Sequence, residues 1–252
     1  MNNIWIIYFA VLGLLFGSFF NVVGLRVTEK KSILVPRSHC PHCKHELKWF
    51  ELIPIFSFLL LRGKCRICEK KISLLYPVME FITGFLFAFT FAKFGWSTDL
   101  LLAMLLISLI AIITVSDFVY MLIPDSILLF FGFILIVVRI FYPSDPWWDF
   151  IVGAVFGFVL LLLIAIISKG AMGGGDIKLF FVIGLVLGVK MTFLTFILST
   201  LLGALFGVLM IIAGKYKKRK PIPFGPFIGV ASIISFLYGN SIIYWYFNIF
   251  WY

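Results

Sequence analysis

Four cysteines lie within one polar segment of the chain, in the pattern C-x2-C-x21-C-x2-C: Cys40, Cys43, Cys65 and Cys68. Each C-x-x-C pair can present two thiolates from a tight turn, and two such pairs complete the tetrahedral ligand set of Zn²⁺. Four thiolates leave no open coordination position, so the spacing predicts a structural zinc ion. Two disulfides and a redox-active pair are the alternatives.

Three histidines, His39, His42 and His45, flank the first cysteine pair. One of them could replace a cysteine as a metal ligand, but four cysteines already fill a tetrahedral shell. We therefore predict that the histidines are solvated neighbours of the metal site. Segment 26–75, which contains all these residues, is too short for a large hydrophobic core, so a bound metal would stabilise it.

The composition requires that these residues be positioned by membrane helices. Of 252 residues, 63% are hydrophobic and 13% are charged, against about 45–50% and about 25% in soluble domains. This excludes an ordinary soluble enzyme and predicts an all-α polytopic membrane protein. At roughly 20 residues per span, eight spans are expected: 4–25, 76–93, 99–116, 124–142, 149–168, 177–189, 191–214 and 224–246. The short sixth span could be tilted, broken or re-entrant.

Basic residues are unevenly distributed along this arrangement. Segment 26–75 contains 11 of the 21 Lys and Arg, and a basic run lies at 215–220. Basic loops favour the cytoplasm, so segment 26–75 is predicted to be cytoplasmic and both termini outside. A reducing cytosol favours zinc over disulfides. We interpret the 215–220 run as a topological anchor at membrane lipid, with no nucleic-acid partner expected; headgroup or nucleic-acid binding is the alternative.

The expected organisation has three parts: a first span at 1–25, a zinc-binding loop at 26–75 and a membrane core at 76–252. Four of the 11 acidic residues fall at or near membrane depth, where ionisable groups are usually functional: Glu80, Asp117, Asp125 and Asp176. Asp125 follows a proline and could simply begin a helix. The acids of segment 26–75 lie where solvent accommodates a charge: Glu29, Glu46, Glu51 and Glu69.

Asp176 ends the sequence Gly173-Gly174-Gly175-Asp176. Glycines beside a membrane helix permit a sharp approach of the backbone to a substrate or another helix, although a simple turn also tolerates them. The topology puts Asp117 and Asp176 on the cytoplasmic side. Two adjacent carboxylates share a proton, so one can activate water while the other polarises a carbonyl. An aspartic protease is therefore predicted, with acids lining a transport path as the alternative.

Several segments, in order along the chain, resemble the motifs of the type IV prepilin peptidases, which are G-x-G-D membrane aspartic proteases. The C-terminal half contributes Ser116-Asp117, Ile123-Pro124-Asp125, residues 173–178 and residues 222–226. The N-terminal half contributes residues 17–22, Arg26, residues 37–43, residues 62–68, Ile72-Ser73, Tyr76-Pro77 and Glu80. The chain departs from the family at 26–28, where Arg-Val-Thr replaces the frequent Arg-x-Pro.

The resemblance implies a bifunctional enzyme of the bacterial cytoplasmic membrane. It would cleave the basic leader of prepilins or pseudopilins after a glycine, and then methylate the new N-terminus with S-adenosylmethionine. Asp117 and Asp176 match the catalytic pair, and Asp125 matches a supporting acid. Other motif residues are assigned to active-site support: Gly173, Gly175, Lys178, Pro223 and Pro226. The prolines are expected to unwind the start of span eight, and Lys178 could stabilise Asp176, contact lipid or mark the inner side.

The chain has no glycine-rich nucleotide fingerprint, so S-adenosylmethionine cannot bind in that familiar way. The methyl-donor site is predicted where the first span meets the cysteine segment. The candidates are Gly17, Ser18, Asn21, Arg26 and Glu80. Gly17 and Ser18 could instead be small residues at a helix contact. Glu80 needs a partner within a membrane helix, and Arg26 is one candidate.

A non-enzymatic membrane protein is the rival class, either a transporter or an assembly scaffold. A transporter would show related halves or broken helices at matching positions, and the sequence shows neither. A scaffold that binds a partner through the cysteine segment would not need Asp117 and Asp176.

Overall fold

The structure is a computed structural model that describes residues 2–170, 172–214 and 222–250. The basic run at 215–220 lies outside the described residues, so its interpretation as an anchor stays a prediction. Within the described part, the chain forms α-helices and one 3-10 turn at Trp49–Leu52. The helices are α1 (Asn2–Thr28), α2 (Phe56–Leu60), α3 (Leu75–Phe94), α4 (Thr98–Tyr120), α5 (Asp125–Phe141), α6 (Asp149–Ile167), α7 (Gly174–Ile212) and α8 (Gly225–Phe250).

The long helices coincide with the predicted membrane spans. Six helices in the described part are long and apolar enough to cross a membrane: α1, α3, α4, α6, α7 and α8. α5 has 17 residues, which is at the lower end of the roughly 17–25 that a span requires. The predicted class, an all-α polytopic membrane protein with a cysteine segment between its first and second spans, is therefore confirmed.

α7 is two helices joined at a break. A straight helix of its 39 residues would be about 58 Å long, roughly twice the thickness of the hydrocarbon core. Gly188, with φ 69° and ψ −179°, interrupts the helical backbone. The two segments correspond to the predicted spans six and seven.

Two charged side chains hold this break. The Val189 N–H donates to Asp149 Oδ1 at 3.2 Å, while the guanidinium of Arg139 donates to the carbonyls of Leu185 and Val186. These bonds satisfy backbone groups that a broken helix leaves without intrahelical partners. A Cβ at position 188 would overlap the Asp149 carboxylate, so the break requires glycine.

The chain packs as two units, residues 1–119 and 120–252. In the first unit α1 packs along α3, and residues 29–74, called the cysteine loop below, connect them. In the second unit α7 packs against α5, α6 and α8. The predicted division of the chain at residues 25 and 75 separates parts by their expected roles, and it stays a prediction.

Gly17 lies where α1 and α3 approach closely. A Cβ at this position would lie 2.8 Å from the Cα of Glu80 and 3.1 Å from the Cβ of Thr83. This contact fits the packing role considered for Gly17. It brings the C-terminal half of α1 beside the start of α3, where the cysteine loop ends.

Candidate functional site

The four cysteines come together in the cysteine loop, with all four Sγ atoms within 4.8 Å of one another. The Sγ atoms of Cys40 and Cys68 are 3.8 Å apart, and so are those of Cys43 and Cys65. A tetrahedral zinc site with Zn–S bonds of about 2.3 Å has sulfur–sulfur edges of about 3.8 Å, whereas disulfide sulfurs lie about 2.0 Å apart. The cysteines are free thiols, and their geometry fits a four-thiolate metal site.

Both cysteine pairs use the same backbone turn. The amide N–H of Cys40 donates to the His45 carbonyl and that of Cys65 donates to the Lys70 carbonyl, each at 2.9 Å. The residue after the second cysteine is left-handed in both turns: Lys44 with φ 57° and Glu69 with φ 54°. Two equivalent turns therefore present the sulfur atoms to a common centre.

Cys65 and Cys43 differ in acidity because backbone N–H groups prevail at Cys65, whereas desolvation and neighbouring thiols prevail at Cys43. N–H groups of Cys68 and Ile67 donate to the sulfur of Cys65 and lower its pKa to about 6. The His45 N–H favours the thiolate of Cys43, but desolvation and the neighbouring thiols prevail and raise the pKa of Cys43 to about 11. Four adjacent thiolates repel one another, so a divalent metal ion suits this cluster.

His45 and Glu51 do not match the expectation of solvated side chains. The Nε2 of His45 lies 3.4 Å from Oε2 of Glu51, and the two side chains are 20% and 2% exposed. The same Glu51 oxygen accepts the N–H of Lys48 at 2.8 Å. The expectation was wrong because the loop folds back over Glu51, and a sequence pattern does not show such a fold.

A cavity of about 270 Å³ lies between α1, α3 and the cysteine loop, entirely within the first unit. Four of the five residues predicted to bind a cofactor line it: Ser18, Asn21, Arg26 and Glu80. On the loop side its wall includes Cys40, Glu51 and Cys65. Four of the predicted residues therefore converge on one cavity that also borders the cysteine cluster.

Arg26 does not serve as the partner of Glu80, and that prediction is wrong. The guanidinium of Arg26 donates to the carbonyls of Ser32 and Ile33, at 3.2 and 3.0 Å. Glu80 accepts the N–H of Ile55 at 2.8 Å and a hydrogen bond from Ser18. Arg26 thus connects the start of the cysteine loop to α1, and Glu80 connects its middle to α3. Both side chains bind backbone groups of the loop instead of each other.

The two acids predicted to be catalytic lie in different units. Asp117 is in the last turn of α4, in the first unit, and is 6% exposed. Asp176 is in the first turn of α7, in the second unit, and is half-buried. Their pairing stays a prediction.

The surroundings of Asp176 are assembled within the second unit. A Cβ at Gly173 would lie 3.0 Å from Oδ2 of Asp176, and a Cβ at Gly175 would lie 2.8 Å from the Cβ of Ile123. The segment before α5 therefore packs directly against the start of α7. A side chain at position 175 would push these two segments apart.

An ion pair joins the same two helices. The Nζ of Lys178 donates to Oδ2 of Asp125 at 2.7 Å, and the side chains are 52% and 60% exposed. This contact was not among the roles predicted for Lys178. Pro124 occupies the N-cap of α5 without a side-chain capping bond, so Asp125 is not the capping residue. Exposed pairs contribute little stability, so the contact chiefly orients the starts of α5 and α7.

The proline motif spans the start of α8. Residues 222–224 have no regular secondary structure and α8 begins at Gly225. Pro226 falls in the first turn, where a missing N–H removes no helical hydrogen bond. The backbone is therefore non-helical at Pro223 but already helical at Pro226, and a role of the two prolines at the active site stays a prediction.

Comparison with known proteins covers both units. Residues 11–94 match the family described as Bacterial Peptidase A24 N-terminal domain, and residues 104–208 match the Type IV leader peptidase family. A prepilin leader peptidase/N-methyltransferase from Bacillus subtilis (strain 168) is 47% identical over 236 residues, covering 94% of this chain and 95% of that protein.

Proteins of the same description from other bacteria are also similar. That of Aeromonas hydrophila is 37% identical over 241 residues, covering 91% of this chain and 81% of its own length. That of Legionella pneumophila is 33% identical over 222 residues, with coverages of 86% and 77%. No solved structure matches the chain significantly.

Proposed function

Because this chain belongs to the type IV leader peptidase family, we propose that it cleaves the basic leader of prepilins or pseudopilins and then methylates the new N-terminus. The observation that carries this proposal is the match to a bifunctional relative over 94% of the chain. That match includes both the cavity of the first unit and the aspartate motifs. The chain is accordingly an enzyme and a multi-pass membrane protein.

We place the enzyme in the bacterial cytoplasmic membrane, with the cysteine loop in the cytoplasm and both termini outside. The distribution of Lys and Arg supports this orientation. It puts both Asp117 and Asp176 at the cytoplasmic face. The basic leader of a substrate would be held there by anionic lipid, with its cleavage site at the membrane edge.

For the peptidase reaction, Asp117 and Asp176 act as the catalytic pair. One carboxylate takes a proton from water, and the other, protonated, donates to the carbonyl oxygen of the scissile bond. That bond must leave the substrate's helix, because helical backbone is already hydrogen-bonded. The glycine segment 173–175 offers an edge without side chains, on which an extended peptide can lie.

The role of the ion pair between Asp125 and Lys178 can be tested by exchanging the two charges. Replacing either residue alone, as Asp125→Lys or Lys178→Asp, should slow leader cleavage about tenfold, because like charges then separate the starts of α5 and α7. The double exchange restores an opposite pair and should recover much of the rate. Cleavage of a prepilin peptide by the purified variants measures this. If the rate reductions of the two single variants simply multiplied in the double variant, the pair would have no orienting role.

For the metal centre, Cys40, Cys43, Cys65 and Cys68 would hold Zn²⁺. The sulfur–sulfur distances of 3.8 Å and the all-thiolate donor set support zinc. Since the coordination shell is complete, the metal would stabilise the cysteine loop and take no part in either reaction.

For the second reaction, S-adenosylmethionine supplies an electrophilic methyl group. Ser18, Asn21 and Glu80 would hold it in the cavity of the first unit, with Arg26 fixing the start of the loop and Gly17 the helix contact. The fit rests on polar atoms at the cavity: the Oδ1 of Asn21 is buried without a hydrogen-bond partner, so a ligand with a donor group can satisfy it.

One assay tests both activities together. The purified chain is mixed with a prepilin that carries a basic leader and a Gly–Phe junction, with S-adenosylmethionine present, and the product is examined by mass spectrometry. Loss of the leader and a gain of one methyl group at the new N-terminus are expected. An uncut substrate would contradict the peptidase proposal, and a cut but unmethylated product would leave a peptidase alone.

A further inference from the structure

Two residues that line the same cavity each carry a buried side-chain oxygen without a hydrogen-bond partner. Within the described residues, these atoms are Asn21 Oδ1, Glu51 Oε1 and Ser235 Oγ. Asn21 and Glu51 are both buried, and both line the cavity between α1, α3 and the cysteine loop. Native proteins leave few buried polar atoms unsatisfied, so two at one cavity require an explanation.

The other polar atom of each side chain is already bound to the backbone. Asn21 Nδ2 donates to the Tyr76 carbonyl at 3.2 Å, and Glu51 Oε2 accepts the N–H of Lys48 at 2.8 Å. These contacts fix the orientation of both groups and make the remaining oxygens the atoms available for a ligand. Each of these oxygens is a hydrogen-bond acceptor, so the complementary ligand must bring donors.

We propose that Glu51, together with Asn21, accepts hydrogen bonds from the S-adenosyl ligand and is a recognition residue of the methyltransferase site. This inference rests on the proposed function. The ligand has suitable donors in its ribose hydroxyls, its adenine amino group and its ammonium group. A carboxylate that accepts from ribose is a recurring means of nucleotide recognition. Apolar side chains at the same cavity offer a surface for the adenine ring: Leu47, Leu52 and Phe58.

Glu51→Gln tests this assignment with little change in shape. The glutamine can keep an oxygen on the Lys48 N–H, and its NH₂ group then replaces the free oxygen at the cavity. A donor would therefore face the donors of the ligand. We expect the dissociation constant of S-adenosylhomocysteine to rise at least about tenfold. Isothermal titration calorimetry on the full-length purified chain measures this, with zinc content and thermal unfolding confirming that the variant is folded.

Glu46→Gln is the matched control, since Glu46 is an exposed glutamate of the same loop outside the cavity lining. It should bind like the unaltered chain. Titration with 5′-methylthioadenosine, which lacks the amino-acid part, shows which part of the ligand donates hydrogen bonds to Glu51. Weaker binding of both ligands assigns Glu51 to the nucleoside, and weaker binding of S-adenosylhomocysteine alone assigns it to the ammonium.

Unchanged binding of both ligands to Glu51→Gln would overturn the assignment and leave the free oxygens as sites for water. The proposed methyl-donor cavity would survive that result, because the unaltered chain would still bind. Failure of the unaltered chain itself to bind S-adenosylmethionine would refute the cavity proposal and this inference together. Leader cleavage, measured separately, would still test the peptidase.

Discussion

Asp117→Asn and Asp176→Asn are each expected to abolish leader cleavage, with a loss of about 10²-fold to 10⁴-fold or more in rate. Asparagine has nearly the same shape as aspartate but can neither take a proton from water nor donate one to the carbonyl oxygen. Each substitution thus removes one half of the proposed acid–base pair and leaves packing almost unchanged. The rate of leader loss from a prepilin peptide, followed by mass spectrometry, measures the effect.

Asp99→Asn is the matched control for Asp117, because Asp99 is an exposed acid at the opposite end of α4. It should cleave at the unaltered rate. Both catalytic variants should retain zinc and bind S-adenosylmethionine, since neither residue lines the cavity. They should also methylate a synthetic peptide that already begins with the mature phenylalanine. Substantial cleavage by either variant would refute the catalytic pair.

Cys65→Ser is expected to remove the metal and, with it, the binding of S-adenosylmethionine. A serine hydroxyl is a poor zinc ligand at neutral pH, and structural zinc sites contribute about 10–16 kcal/mol to the fold of small domains. Cys40 and Cys65 are both part of the cavity wall. Loss of the metal should therefore deform the cavity, and we expect the affinity for S-adenosylmethionine to fall by about 100-fold or more. Zinc analysis and calorimetry on the same preparation measure the two effects.

His42→Ala is the control for this experiment, because His42 is an exposed residue between two ligands of the cluster. It should retain one zinc per chain and normal binding. Coupling of the two sites is reciprocal, so bound S-adenosylmethionine should also slow the removal of zinc by a chelator. A Cys65→Ser variant that loses zinc yet binds S-adenosylmethionine normally would show that the metal does not support the cavity.

Much of the architecture follows from the sequence because membrane helices are encoded locally. A run of about 20 apolar residues must satisfy its backbone as a helix wherever it lies in a bilayer. The predicted segments therefore agree with the observed helices within a few residues, including the division of α7 near residue 190. The cysteine cluster was equally predictable, since two C-x-x-C pairs in one loop have few other uses.

Long-range polar partners were not predictable in the same way. Glu80 accepts from Ile55 rather than pairing with Arg26, and Lys178 reaches Asp125 across 53 positions of sequence. Nothing in the local pattern distinguishes one available donor from another. The contact of Asp149 with the Gly188 break likewise depends on how α6 and α7 pack.

The sequence by itself determined the membrane class, the four cysteines that cluster and the acids to be tested, because each depends on residue type and short-range spacing. Only the tertiary structure decided that Ser18, Asn21, Arg26 and Glu80 surround one cavity and that Glu51 belongs to it. Glu51 looked like any solvated acid of a polar loop. Its burial depends on how the loop folds back onto α1 and α3, and that depends on hydrogen bonds between residues far apart in the chain.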